Sequence, residues 1–143
     1  MKYRRQILFE AALAAILMMP LDTRAESRVL ALSQQWSGSI ADLALKNEAP
    51  ANGCVTDAKT FEKLWKAWKI GEKVPDIDFK TEMVVVTTTR GSRLRLTVRL
   101  DEKGDLRVDG VATRDLRPGF RYAVGVIKRE GVKTIRGKEL PKD

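Results

Sequence analysis

The chain has 143 residues, a formal net charge of +8 at pH 7, one cysteine and no histidine. Without imidazole, the chain cannot form a Ser-His or Cys-His nucleophile pair or a histidine-ligated metal site. A single cysteine excludes an internal disulfide and a cysteine-rich zinc or iron–sulfur centre. The length allows one domain, which a modest hydrophobic core must hold together.

Residues 1–25 are predicted to be a signal peptide, with a basic start, an apolar run over 11–19 and cleavage after Ala25. The apolar run is too short to span a bilayer, which takes about 20 residues. The mature protein is therefore expected to be periplasmic or secreted. The pair Arg4-Arg5 leaves both the general and the twin-arginine export routes open. Outside the cytoplasm, a basic chain favours acidic polysaccharide, anionic lipid or an acidic protein as partner over nucleic acid. The alternative is a basic exported protein with no specific anionic ligand.

Residues 26–52 are predicted to form an N-terminal strand, or strand pair, over 28–40 and then a loop over 41–52 that leads into a domain at 53–143. Cys54 lies among apolar neighbours just before a predicted helix. This position indicates a buried small hydrophobe rather than a reactive thiol.

An amphipathic helix is predicted next, because large apolar residues recur at i, i+3, i+4 and i+7. Thr56 or Asp57 can cap its start, Gly71 is expected to end it through a positive φ, and Pro75 prevents continuation. Each large side chain contributes roughly 1.5–3 kcal/mol when buried, so a role in the core is favoured over a binding surface. The four residues are Phe61, Leu64, Trp65 and Trp68.

The rest of the chain is typical of β-strands. Strands are predicted over 83–89, 93–100, 106–113, 121–129 and 132–135. The predicted fold class is therefore α+β, an antiparallel sheet of about five or six strands with one amphipathic helix packed on its apolar face.

Arginine is concentrated in this β region, with nine arginines between positions 90 and 129. In the strand at 93–100, leucine and valine alternate with arginine and threonine, which places the arginines on the solvent side. Guanidinium groups bind carboxylate, sulfate and phosphate groups in a bidentate manner. One hypothesis is a basic face for an anionic partner; the alternative is neutralisation by interspersed acids and protection against edge-to-edge aggregation. The candidate surface consists of Arg93, Arg95, Arg99, Arg107 and Arg121.

Carboxylates are the remaining candidates for catalysis. Asp76 and Asp78 would share one face of an extended segment, as a weak calcium site or an acid/base pair requires. A solvated loop acid and a local turn acceptor are the alternative roles. A carboxylate-based hydrolase would need two of Asp76, Asp78, Asp101 and Glu62 in one pocket.

The order of these features resembles the C-terminal domain of the protease-complex subunit PrcB family, and small exported bacterial proteins, planctomycete ones among them, that carry PrcB-like domains. The matching pattern covers roughly residues 54–136. It consists of "LW" at 64–65, "P-x-I-D-F" at 75–79, "MVVV" at 83–86, "L-x-V" at 106–108 and "Y-x-V" at 122–124.

This resemblance implies a noncatalytic accessory role, binding and stabilising an exported protease or another envelope protein, and it brings no catalytic residue or cofactor. Within the I-D-F segment, Ile77 and Phe79 are expected to point to the core while Asp78 faces backbone N–H groups. The segment would then be a structural latch between helix and sheet.

Three functional hypotheses follow. The first is a noncatalytic exported interaction or accessory domain that binds an envelope protein or a protease. The second, from another class, is a basic sheet face that binds acidic polysaccharide or anionic lipid. The third is the carboxylate-based hydrolase. None of them calls for a cofactor or a metal.

Overall fold

The computed structural model describes residues 27–141, so the predicted signal peptide and its cleavage site lie outside the described residues. Within that range the chain forms nine strands, one α-helix and one 3₁₀ helix at Leu43–Glu48. The elements are β1 (Arg28–Val29), β2 (Gln34–Ile40), β3 (Cys54–Val55), α1 (Ala58–Trp68), β4 (Glu82–Thr89), β5 (Leu94–Leu100), β6 (Asp105–Ala112), β7 (Phe120–Lys128), β8 (Thr134–Ile135) and β9 (Lys138–Glu139).

The strands form two sheets rather than the single sheet that the sequence predicted. One sheet, here called the central sheet, has the order β2-β7-β4-β3 and is antiparallel throughout. The other, here called the outer sheet, has the order β1-β5-β6-β8-β9, with one parallel pair between β6 and β8. The α+β class with one amphipathic α-helix is confirmed for the described residues, and the arrangement of the strands is corrected.

Two hydrophobic cores place the central sheet between α1 and the outer sheet. Val84, Val86 and Val124 pack with the helix residues on one side. Met83 and Val85, from the opposite face of β4, pack with β5 and β6 of the outer sheet. Because β4 and β7 are buried on both faces, their sequences are nearly continuous apolar runs, whereas β5 and β6 bury one face and alternate.

The ends of α1 show which residues define the helix. The Asp57 carboxylate accepts the Thr60 N–H at 2.8 Å, so Asp57 is the N-cap. At the other end, Lys69 rather than Gly71 takes the left-handed conformation, with φ 48°. Gly71 has a packing role instead, since a Cβ at this position would lie 2.9 Å from Cζ2 of Trp65.

The N-terminal segment is part of the same folded unit. β1 pairs with β5 in the outer sheet and β2 pairs with β7 in the central sheet, so the predicted strand pair spans both sheets. The loop predicted over 41–52 contains the 3₁₀ helix, whose first turn is capped by the Asp42 side chain. Both sheets therefore contain a strand from before residue 53, β1 in the outer sheet and β2 in the central sheet.

Candidate binding face

The solvent side of the outer sheet carries three arginines in neighbouring strands, and we call this surface the arginine face. Arg95 and Arg99 lie on β5 and Arg107 on β6, and all three are exposed. The alternate residues of both strands, such as Val98 and Val108, point into the core between the sheets. Arg93, one residue before β5, is also exposed, and its N–H donates to Oγ1 of Thr113.

Two arginines of this face stand directly opposite each other. In the register of β5 and β6, Arg99 pairs with Arg107, while Thr97 pairs with Asp109. Like charges directly opposite each other on one face of a sheet are destabilising. The Arg99–Arg107 pair is therefore a local cost to the fold.

No carboxylate forms an ion pair with these arginines within the described part of the chain. The ion pairs of residues 27–141 join Lys63 to Glu48, Lys66 to Glu62 and Arg117 to Asp115. Two acids flank Arg107 on the same face of β6, Asp105 two residues before it and Asp109 two residues after it, and neither takes part in these ion pairs. The positive charge of Arg107 nevertheless helps to lower the pKa of Asp105. Interspersed acids thus offset part of the charge of Arg107, but neither Arg99 nor Arg107 has an ion-pair partner among residues 27–141.

A further arginine, which the sequence pattern did not single out, borders the same face. Arg136 lies in the turn between β8 and β9 with φ 48°, and it lines a shallow depression together with Arg107 and Asp109. Its guanidinium donates to the carbonyl of Val108. A left-handed conformation costs a residue with a Cβ roughly 1 kcal/mol. The signal available in the sequence was Gly137, because a two-residue hairpin turn with positive φ at both positions commonly contains glycine.

Asp105 holds the turn that presents Arg136. Its Oδ1 accepts the Gly137 N–H and the Thr134 hydroxyl, both at 2.8 Å. These bonds stabilise the charged form, the one from Gly137 most, and lower the pKa of the Asp105 carboxyl. Asp105 therefore acts as a scaffold for the turn.

Exposed valines flank the arginines on the same side of the sheet. Val29 pairs with Arg99 and Val111 pairs with Arg95, and each valine is 64% exposed. Directly paired residues of antiparallel strands share a face. The face is therefore a mixture of guanidinium and aliphatic groups rather than a purely basic surface.

Arg121 does not belong to this face. It lies on β7 of the central sheet, paired with Ser39 and Thr89, and its side of that strand is the one that carries Ala123. The structure thus brings together Arg95, Arg99 and Arg107, with Arg93 beside them, and it separates Arg121 from them.

The tryptophans of α1 lie in the core. Trp65 and Trp68 are each 3% exposed. Leu64 at 3% and Phe61 at 1% are buried in the same cluster. The indole N–H of Trp65 donates to the Gly71 carbonyl at 3.0 Å, and that of Trp68 donates to the Leu45 carbonyl at 2.8 Å. The indole N–H groups of both tryptophans thus have hydrogen-bond acceptors within the fold.

The segment after the helix makes local structural contacts. Ile77 is buried, and Phe79 is only partly buried, with its ring 6.0 Å from that of Phe61. The Asp78 carboxylate accepts the Lys80 N–H at 3.1 Å. The Phe79 carbonyl accepts a bond from the Arg129 guanidinium at 2.8 Å, which ties this segment to the end of β7.

The four candidate carboxylates have separate environments. Glu62 pairs with Lys66 one helical turn on, and Asp78 caps a local turn. Asp101 accepts two N–H groups of the β5–β6 hairpin, and Asp76 is exposed. Residues 27–141 also contain no group of three or more acidic or cysteine side chains placed to hold a metal ion.

Cys54 is a buried core residue, as predicted, and it is 3% exposed between the two sheets. Burial raises the pKa of its thiol to about 12, although the positive charge of Arg129 acts in the opposite direction. The thiol is therefore protonated at neutral pH and unreactive.

No helix within residues 27–141 is both long enough and apolar enough to cross a membrane. Comparisons with family models, with curated proteins and with solved structures find no match to this chain. The resemblance to the PrcB C-terminal domain therefore stays a prediction from the sequence pattern.

Proposed function

We propose that the protein is a noncatalytic exported accessory domain that binds an acidic envelope protein, such as a protease, through the arginine face. The observation that carries the proposal is the cross-strand pair Arg99–Arg107, which no acidic group neutralises through an ion pair among the described residues. An exposed pair of like charges with no ion-pair partner is typical of a binding surface. A carboxylate bound between the two guanidinium groups would relieve their repulsion.

The composition of the face favours a protein as the partner. Protein interfaces combine arginine with apolar groups, and the rim of polar residues keeps water from the contact. Val29 and Val111 supply exposed apolar groups beside Arg99 and Arg95. A polysaccharide or a lipid headgroup would use the guanidinium groups but would leave both aliphatic side chains in water.

Acidic polysaccharide or anionic lipid is the second candidate. The observation in its favour is that the arginines lie on neighbouring strands, at a spacing that a repeating anion can bridge. Such binding would depend almost wholly on charge and would fall steeply as salt rises.

The test is covalent cross-linking on intact cells that export either the parent protein or the variant Arg99→Glu/Arg107→Glu. The envelope proteins cross-linked to each are then compared. The control is Arg121→Glu, which makes the same type of charge change on the other sheet. We expect one envelope protein to be cross-linked to the parent and to the control but not to the double variant. Cross-linking that is unchanged in the double variant would contradict the proposal.

A second measurement separates the two candidate partners. Retention of the purified protein on heparin is compared between the parent and Val29→Ser/Val111→Ser, which keeps every charge. For a protein partner, the serine variant should lose cross-linking in cells while its heparin retention stays the same. If the serine variant keeps its cross-links and the parent binds heparin tightly at low salt, the polysaccharide candidate replaces the protein partner.

A further inference from the structure

Strand β2 is an open edge of the central sheet. It pairs with β7 on one side over all seven of its residues, from Gln34 to Ile40. Within residues 27–141 its backbone makes no hydrogen bond to any other element. The outward N–H and C=O groups of this strand are therefore available to another strand.

This edge lacks the usual protection against pairing. The other strands at sheet edges, β1, β3 and β9, have only two residues each. β2 has no proline or charged residue, and its unbroken one-to-one register with β7 contains no bulge. Natural proteins blunt long edges with such features, so an unprotected edge of this length indicates a pairing surface.

The absence of charge around β2 points to a second copy as the occupant. The thirteen residues from Val29 to Ala41 include no ionisable side chain, in a chain whose formal net charge is +8. Two copies approaching through the arginine face would repel each other. The β2 edge is a surface at which like copies can meet without bringing charges together.

We infer that β2 pairs antiparallel with β2 of a second copy, so that the two central sheets join into one continuous sheet across a two-fold axis. Ser37 is the middle residue of Gln34–Ile40, and a two-fold axis there pairs all seven residues of one strand with all seven of the other. In this register Ser37 faces Ser37, and Trp36 faces Gly38.

The side chains of β2 suit this register. Trp36 and Ile40 face the helix side of the sheet and are half-buried, while Gln35, Ser37 and Ser39 are exposed on the other side. Gly38 carries no side chain to meet Trp36 of the other copy, and the Tyr122 ring lies over Gly38. The Trp36 indole would therefore gain an aromatic neighbour from the second copy.

Pairing in this manner keeps the layers of both copies consistent. A two-fold axis perpendicular to the sheet places both α1 helices on one side and both outer sheets on the other. The arginine face is on the far side of each outer sheet, so it stays accessible in the pair. The contact consists of one strand from each copy, so we expect a weak and reversible dimer.

The first test measures the oligomeric state of the protein by sedimentation velocity over a range of concentrations. The protein is purified as its own cells process it. We expect a concentration-dependent dimer for the parent. Ser37→Lys places two like charges directly opposite each other and should give a monomer, whereas Ala51→Lys, an exposed residue next to the opposite edge strand, should leave the dimer unchanged.

If the strand contact is correct, mixing two variants of opposite charge at residue 37 restores the dimer. Ser37→Lys and Ser37→Glu should each be monomeric alone and should dimerise together, because the facing charges then attract. A parent that is monomeric at every concentration, or a dimer that Ser37→Lys does not weaken, would overturn the inference. So would a mixture of the two variants that stays monomeric.

The register has its own test. Under oxidation, Ser37→Cys should form a disulfide between copies because residue 37 faces itself, while Ser39→Cys faces residue 35 and should not. The native Cys54 does not interfere because it is buried. Cross-linking of Ser39→Cys in place of Ser37→Cys, or of neither variant, would overturn the register and with it the two-fold contact.

Discussion

Reversing one charge of the Arg99–Arg107 pair should stabilise the fold while it removes binding. The variant Arg99→Glu turns a repulsive cross-strand pair into an attractive one on the exposed side of β5 and β6, while Arg107 keeps its attraction to Asp105. A variant that is more stable but no longer binds would show that the arginine pair serves binding rather than the stability of the fold.

The size of the effect follows from the geometry. A directly opposed charge pair in a sheet is worth about 0.2–1 kcal/mol in either direction, so the reversal should add about 0.5–1.5 kcal/mol to the free energy of unfolding. For a domain of this size, that corresponds to a rise in Tm of about 2–6 °C. The rise should shrink in concentrated salt, because both side chains are exposed and screened.

The assay is a double-mutant cycle followed by thermal unfolding. Arg99→Glu should raise Tm, whereas Arg107→Glu also removes the attraction between Arg107 and Asp105. The double variant restores a like-charge pair, so its stability should be lower than the sum of the two single changes predicts. If Arg99→Glu lowers Tm, or if the two changes add without any coupling, the two arginines do not repel each other across the strands. The reasoning that assigns this pair to binding would then be refuted.

Three further predictions concern the core, the thiol and the turn. Gly71→Ala should lower the free energy of unfolding in urea by about 1–3 kcal/mol, because the added Cβ would lie 2.9 Å from the Trp65 ring, whereas Glu72→Ala at the adjacent exposed residue should have little effect. Cys54, with a thiol pKa of about 12, should react with iodoacetamide at neutral pH only as fast as the protein unfolds, so rapid labelling of the native state would contradict its burial. The lowered pKa of Asp105 means that its carboxylate contributes stability above its unfolded pKa and loses it as pH falls through the folded pKa, so Asp105→Asn should show a shallower fall of Tm in acid than the parent.

The local elements of this fold could be predicted from the sequence because each has its own periodicity. The spacing of Phe61, Leu64, Trp65 and Trp68 places a helix close to its observed bounds, and the alternation along β5 places its arginines in solvent. The I-D-F segment likewise lies next to the core, with Ile77 buried and Asp78 bonded to backbone.

The division into two sheets could not be predicted in the same way. An apolar run such as Met83–Val86 shows that β4 is buried on both faces but does not say which strands cover it. The separation of Arg121 from the arginine face follows from that division, because β7 joins the central sheet and β5 the outer one. At the end of α1, Lys69 takes the left-handed conformation while Gly71 packs against the Trp65 ring, a division of roles that no local pattern records.

The two edges of the outer sheet are β1 and β9, the first and the last strands along the described chain, and each has only two residues. Their amide protons should therefore be replaced by deuterium early, and opening should spread inward through β5 and β8 while the central sheet stays closed. The guanidinium groups that we assign to partner binding thus lie on the layer of the molecule that opens most readily. A partner bound to that face should therefore slow hydrogen–deuterium exchange in β1 and β9.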